Sequence, residues 1–153
     1  MVHHIGLTVS DLERSIAFYQ TVLGCRVRER SENSGADVGE VTGIAGAAII
    51  AADLELPGGG LLELLQYVAP VGERLAQRRN QGGHTHIGFL VEDVDAAYDR
   101  LVAYGVTPTS RPVRIDEPGS AWDGVRVFYA CDPDGRTIEC VGEREKKSPE
   151  SRK

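Results

Sequence analysis

His4-Ile5-Gly6-Leu7-Thr8-Val9-Ser10-Asp11-Leu12 returns 82 residues later as His86-Ile87-Gly88-Phe89-Leu90-Val91-Glu92-Asp93-Val94. The match has no gap, and His, Ile, Gly, Val and Asp are identical in place. Self-similarity of this length marks a duplicated unit. Each copy alternates as a strand does. Ile5, Leu7 and Val9 oppose His4, Gly6 and Thr8; Ile87, Phe89 and Val91 oppose His86, Gly88 and Leu90. Both histidines therefore lie on the face away from the aliphatic stripe. A glycine two residues on leaves room beside each imidazole.

A helix follows in each half. Ser10-Asp11-Leu12-Glu13 fits a capping box between Ser10 and Glu13. Leu12, Ile16, Tyr19 and Leu23 form one apolar helical face, with Gly24 suited to the C-cap. In the second half Asp93 or Glu92 opens the helix, Val94, Tyr98 and Leu101 repeat the face, and Gly105 ends it. Strand-like runs come next: 25–30, which alternates, and the apolar 47–54 and 61–67 in the first half, then 125–131 and 137–141 in the second. Pro57-Gly58-Gly59-Gly60 and Asp132-Pro133-Asp134-Gly135 are the turns between paired runs. Each half thus reads β-α-β-β-β. The expected organisation is a first βαβββ module over 1–69, a connection over 70–83, a second βαβββ module over 84–142, and a frayed polar tail over 143–153.

The composition fits an ordinary globular α+β protein. The 153 residues are 41% hydrophobic and 26% charged, with a net charge of −6. An acidic chain without a basic block argues against nucleic acid as a partner. No apolar run approaches the ~18 residues of a membrane span, and the N-terminus lacks the basic and apolar regions of a signal peptide. Cys25, Cys131 and Cys140 are odd in number and form no CxxC pair, which points to free thiols in a reducing cytoplasm.

A second correspondence closes each half. Glu63 in Leu62-Glu63-Leu64-Leu65 and Glu139 in Ile138-Glu139-Cys140-Val141 each interrupt an apolar strand, 76 residues apart. An ionised glutamate among leucines is costly unless compensated, and a bound cation compensates it. A lone strand histidine or glutamate is ordinarily structural or solvent-facing, but two of each, repeated in order, are not. The expected site is one divalent metal held by His4, Glu63, His86 and Glu139, with a pseudo-twofold pairing of the halves gathering all four. Imidazole nitrogen and carboxylate oxygen suit Zn, Co, Ni, Mn or Fe. His3, next to His4, falls on the opposite face and reads as surface. His84 shares the face of His86 but aligns with Val2, which leaves it as the fallback ligand or a supporting group.

These residues resemble the vicinal oxygen chelate superfamily, which includes glyoxalase I, methylmalonyl-CoA epimerase, extradiol dioxygenases, and fosfomycin and bleomycin resistance proteins. The resemblance spans about residues 2–142. It is carried by His4-Ile5-Gly6 with Val9-x-Asp11-Leu12, Ser15-Ile16-Ala17-Phe18-Tyr19, Leu23-Gly24, Glu63-Leu64-Leu65-Gln66-Tyr67, His86-Ile87-Gly88-Phe89, and Asp132-Pro133-Asp134-Gly135 with Ile138-Glu139. It implies a mixed sheet curved around a metal-binding cleft, a ligand on the first and last strand of each module, a small-molecule substrate and a homodimer. His4, Glu63, His86 and Glu139 fall on those places. It implies too that the metal binds two neighbouring oxygens of a substrate or intermediate.

Within that family the four-ligand set favours an isomerase or epimerase. Glu63 and Glu139 would act as catalytic bases that move a proton beside a substrate carbonyl through an enediolate. Acyl-CoA, keto-sugar and cyclitol ketone substrates all fit. The opening strand resembles the epimerases. Glu63 resembles glyoxalase, since acyl-CoA epimerases usually carry glutamine there, so a lactoylglutathione lyase is the alternative. A sequestering resistance protein ranks lower because such binders typically lose the ligands. A dioxygenase ranks last because it needs only three.

Around the site, the Gly- and Ser-rich residues 31–46 read as a mobile loop or a substrate lid. Arg74, Arg78 and Arg79 in the connection offer a cation to a substrate phosphate or carboxylate; the competing reading is a solvated helix face. Arg111, Arg114 and Arg126 pose the same choice. Trp122 reads as a pocket wall or core residue and Tyr129 as core. Tyr67 shares the face of Glu63, and Thr8 that of His4.

Overall fold

A computed structural model describes residues 1–74 and 78–144. Residues 75–77 of the expected connection and 145–153 of the expected tail lie outside the described residues. The chain divides into two compact units, Met1–Ala76 and Gln77–Lys153.

The first unit runs β1 (Ile5–Thr8), α1 (Leu12–Leu23), β2 (Arg26–Ser34), α2 (Ala36–Thr42), β3 (Ala48–Glu55) and β4 (Leu61–Ala69). Its four strands form one mixed sheet in the order β1-β4-β3-β2, with β1 parallel to β4 and the other pairs antiparallel. The second unit runs β5 (His86–Val91), α3 (Val94–Ala103), β6 (Val113–Arg114), β7 (Arg126–Cys131) and β8 (Thr137–Gly142). Its sheet has the equivalent order β5-β8-β7-β6, again with the first and last strands parallel.

The helix faces read from the sequence are the packed faces. Leu12, Ile16, Tyr19 and Leu23 are buried, together with Phe18 and Val22, and so are Leu54, Leu62 and Leu64 of the first sheet. In the second unit Val94, Ala97 and Leu101 of α3 are buried, as are Phe128, Ala130, Ile138 and Cys140 of the sheet, whereas Tyr98 of the expected face is only half-buried, its ring edge to face with Phe128 at 5.5 Å. Gly24 ends α1 at φ 69°, a left-handed conformation that glycine adopts without penalty. Gln66 ties α1 to β4, its Oε1 accepting from the Leu12 N–H at 2.7 Å. Cys25, Cys131 and Cys140 are free thiols, and burial pushes Cys25 and Cys140 up to about 11.

Several local expectations are corrected. The N-cap of α1 is Asp11, whose Oδ1 accepts from the Arg14 N–H at 2.9 Å. Ser10 Oγ instead accepts from the Arg14 guanidinium at 2.8 Å, and Glu13 pairs with Arg30 of β2. Residues 31–46 are not a loop throughout: β2 continues to Ser34 and α2 follows. The second unit's third strand, β6, is only two residues long. No helix forms at 70–74 or 78–85. No helix among the described residues is long and apolar enough to cross a membrane.

Candidate functional site

Glycine register places the four singled-out residues in two matching pairs. In the parallel β1–β4 ladder Gly6 lies opposite Glu63; in the parallel β5–β8 ladder Gly88 lies opposite Glu139. The sequence offsets differ, 82 for the first strand and 76 for the last, yet the pairing is the same. The six-residue difference is therefore absorbed between these strands and not within their ladder.

Alternation sends Leu62 and Leu64 into the core and leaves Glu63 on the other face. There Glu63 Oε2 is 3.3 Å from His4 Nε2. The second unit repeats the distance: Glu139 Oε2 is 3.3 Å from His86 Nε2. Side-chain exposure is 41% for His4 and 28% for Glu63, against 43% for His86 and 11% for Glu139. A Cβ added at Gly6 would stand 3.6 Å from Glu63 Oε2, and one at Gly88 would stand 3.5 Å from Glu139 Oε2. The glycines thus keep one side of each carboxylate clear.

The donor chemistry of each pair fits a divalent ion. Ligands bound at about 2.0–2.2 Å stand roughly 2.8–3.1 Å apart along the edge of an octahedron and roughly 3.3–3.6 Å along that of a tetrahedron, and each pair is set at 3.3 Å. Among the described residues no three or more His, Cys, Asp and Glu side chains form a group that could hold a metal. Each pair offers one imidazole nitrogen and one carboxylate.

His3 belongs beside this site. Its Nδ1 is 2.8 Å from His4 Nδ1, and the two rings meet edge to face at 5.1 Å. One of these nitrogens must donate and the other accept, which turns His4 Nε2 toward Glu63. Strand alternation put His3 on the far face, but β1 begins only at Ile5, so alternation does not govern residue 3. His84 also precedes its strand. Its Nε2 is 3.1 Å from Thr137 Oγ1, and it is His86 that stands beside Glu139.

Tyr129 is the third member of the second pair. It lies opposite Glu139 in the β7–β8 ladder, and its ring meets that of His86 edge to face at 5.5 Å. Burial and the Glu139 carboxylate push its phenol above the usual range, with Arg79 acting the other way. The residue opposite Glu63 in the first unit is Asp53.

The remaining arginines are mostly engaged elsewhere. Arg126 donates through both terminal nitrogens to the Asp95 carboxylate, at 2.5 and 2.9 Å. Arg111 stacks over the Tyr98 ring at 5.5 Å, and Arg114 is 3.5 Å from Asp116. Trp122 is 45% exposed and so is not a core residue. A cavity of about 580 Å³ lies at the β3–β4 turn, lined by Arg26, Arg28, Glu55 and the turn glycines. It includes neither His4 nor Glu63, and Arg26 there is paired with Glu55 at 2.7 Å, so the cavity is separate from the pair.

Comparison with known proteins gives these pairs a context. Residues 1–140 match the family model described as the glyoxalase/bleomycin resistance protein/dioxygenase superfamily. The chain is 32% identical over 146 residues to a 2-epi-5-epi-valiolone epimerase from an Actinomyces species, covering 92% of this chain and 78% of the relative. It is 30% identical to the lactoylglutathione lyase of Haemophilus influenzae, covering 95% of this chain and 94% of the relative. The crystal structure of a glyoxalase family protein from Bacillus cereus shares the fold with a TM-score of 0.80 at 23% identity, covering 94% of each chain.

Proposed function

This chain belongs to the glyoxalase/bleomycin resistance protein/dioxygenase superfamily, and on that premise we propose that it is a divalent-metal-dependent isomerase or epimerase. It moves a proton beside the carbonyl of a small-molecule substrate, through an enediolate. His4, Glu63, His86 and Glu139 are the residues that hold the metal, which we take to be Zn, Co, Ni, Mn or Fe. The ion, when bound, supplies Lewis-acid polarisation of the carbonyl.

Proton handling falls to the chain. Glu63 and Glu139 are the catalytic bases: one carboxylate takes the proton from the carbon beside the carbonyl and the other returns it. His3 holds the His4 ring, and Gly6 and Gly88 keep each carboxylate accessible. The observation that supports this reading is the repeated His–Glu pair, at 3.3 Å in both units, with a glycine opposite the glutamate in each ladder. The Actinomyces relative, an epimerase by name, favours epimerisation among the family's chemistries. Acyl-CoA, keto-sugar and cyclitol ketone substrates fit the reaction. The protein is expected to work as a cytoplasmic homodimer without nucleic-acid or membrane partners.

The second reading is a glyoxalase-type lactoylglutathione lyase, favoured by Glu63 and by the Haemophilus relative. Metal analysis and proton exchange test both. One divalent ion per chain is expected in purified protein, with deuterium from D₂O entering the carbon beside the carbonyl of an acyl-CoA, a keto-sugar or a cyclitol ketone. Turnover of the methylglyoxal–glutathione adduct without such exchange would favour the lyase. Absence of stoichiometric metal would favour a sequestering protein, and oxygen uptake with catechols a dioxygenase.

A further inference from the structure

Arg79 is held in place without meeting a carboxylate among the described residues. Its guanidinium carbon stands 5.8 Å from the centroid of the Tyr129 ring, and its Nη2 donates to Cys131 Sγ at 3.5 Å. Tyr129 in turn touches the His86 ring and lies opposite Glu139. Arg26, Arg30, Arg114 and Arg126 each meet a carboxylate. Arg79 has none within ion-pair distance among the described residues. A ring face and a thiol fix the orientation of a guanidinium, but neither offers a full negative charge. Most of its five N–H donors are left for another acceptor. Glu139, opposite Tyr129 in the ladder, is engaged with His86.

We infer that Arg79 is a specificity-determining residue, supplying a fixed positive charge beside the His86–Glu139 pair for a carboxylate or phosphate group carried by the substrate. A planar guanidinium presents two parallel N–H groups, which match the paired oxygens of either anion. The inference rests on the proton-transfer reading for the word substrate, and it narrows that reading. An acyl-CoA with a free carboxylate or a phosphorylated keto-sugar carries the required anion, whereas an uncharged cyclitol ketone does not. All the contacts that support it lie within the second unit.

The test is calorimetric titration of the full chain, as purified and again after dialysis against EDTA. The probes are inorganic phosphate, malonate and an uncharged inosose. At least one anion should bind both preparations, and Arg79→Gln should weaken that binding at least tenfold. Arg79→Lys should fall between, because it keeps the charge but loses the fork. Binding of the inosose should be the same in all three proteins. Preference for phosphate over malonate, or the reverse, identifies the anion. Three results would overturn the inference: a parent protein that binds neither anion, binding that disappears with EDTA, or an Arg79→Gln protein that binds as the parent does. Arg79 is exposed, so the variants should fold. Anion binding that depends on Arg79, with no deuterium exchange on any substrate, would defeat the proton-transfer reading while leaving the anion subsite standing. Exchange with binding indifferent to Arg79 would do the reverse.

Discussion

Glu63 faces Asp53 across the β3–β4 ladder, and Asp53 faces Glu29 across β2–β3. In the second unit the place of Asp53 is taken by Tyr129, with Arg79 over its ring. The His–Glu pair and its glycine are thus repeated, but their surroundings are acidic in one unit and aromatic and cationic in the other. A duplicated scaffold can keep a side-chain pair while the next strand diverges, because the pair depends on its own two strands and the residue opposite comes from a third. The shared features then belong to what both units must do alike. The unshared ones belong to what each does alone.

The largest effects should come from the pairs themselves. Glu63→Gln and Glu139→Gln should each lower deuterium exchange by roughly 10²–10⁴-fold, the usual worth of a positioned acid or base. Measuring metal per chain alongside separates holding the ion from moving the proton. Glu139 is the less exposed of the two, so a larger loss there would assign it the dominant role. Full turnover with metal retained in either variant would remove that glutamate from the mechanism.

The glycines probe the same pairs more gently. A methyl at Gly6 or Gly88 would lie in ordinary contact with the glutamate oxygen, so the sheet should tolerate it. Alanine in a strand interior should raise stability by up to about 0.5–1 kcal/mol. Metal affinity should fall roughly tenfold, at the lower end of what disturbing a ligand's surroundings costs. Urea unfolding and metal titration on one preparation read both. Unchanged affinity would reduce the glycines to spacing.

Asp53→Asn tests the difference between the units. Like charges directly opposite in a ladder are destabilising, so this change should stabilise the metal-free protein by about 0.2–1 kcal/mol. The gain should shrink when divalent metal is saturating, because a cation beside Glu63 relieves the same repulsion. Tyr129→Phe keeps the ring and should change urea stability little. Equal gains with and without metal would break the link between Asp53 and the pair.

The repeat, the helix faces and the order of strands were legible because they rest on periodicity. What escaped rests on neighbours. Residues 31–34 have loop composition, yet they form a strand because each pairs with β3, from Ser31 with Ala51 to Ser34 with Ala48. Ser10 and Asp11 are both good caps, and the choice was made by Arg14, whose side chain takes the serine and whose backbone takes the aspartate. The two residues of β6 are too few to show alternation. At the site, the four ligand candidates could be read from the repeat. Tyr129 and Arg79 could not, because their place is fixed by the cross-strand register and by packing on a ring. His3 was missed because alternation was extended past the end of its strand.

The smallest effect concerns a likeness outside the pairs. In each unit a carboxylate in the first turn of the helix meets an arginine on a strand, Glu13 with Arg30 and Asp95 with Arg126. Hydrogen bonding from that arginine holds each carboxyl below its ordinary value. A carboxyl depressed in the folded state contributes stability above its unfolded pKa and loses it as pH falls through the folded one. Glu13→Gln and Asp95→Asn should therefore lower the unfolding midpoint slightly at neutral pH. The difference from the parent should begin to shrink as pH drops below the ordinary values, 4.5 for Glu13 and 3.8 for Asp95, and vanish only once pH has passed the depressed folded ones. Both pairs are exposed, so added salt should erase most of the effect at any pH. A midpoint difference that persists in acid would mean the two side chains act through packing, and the likeness would then be geometric without being electrostatic.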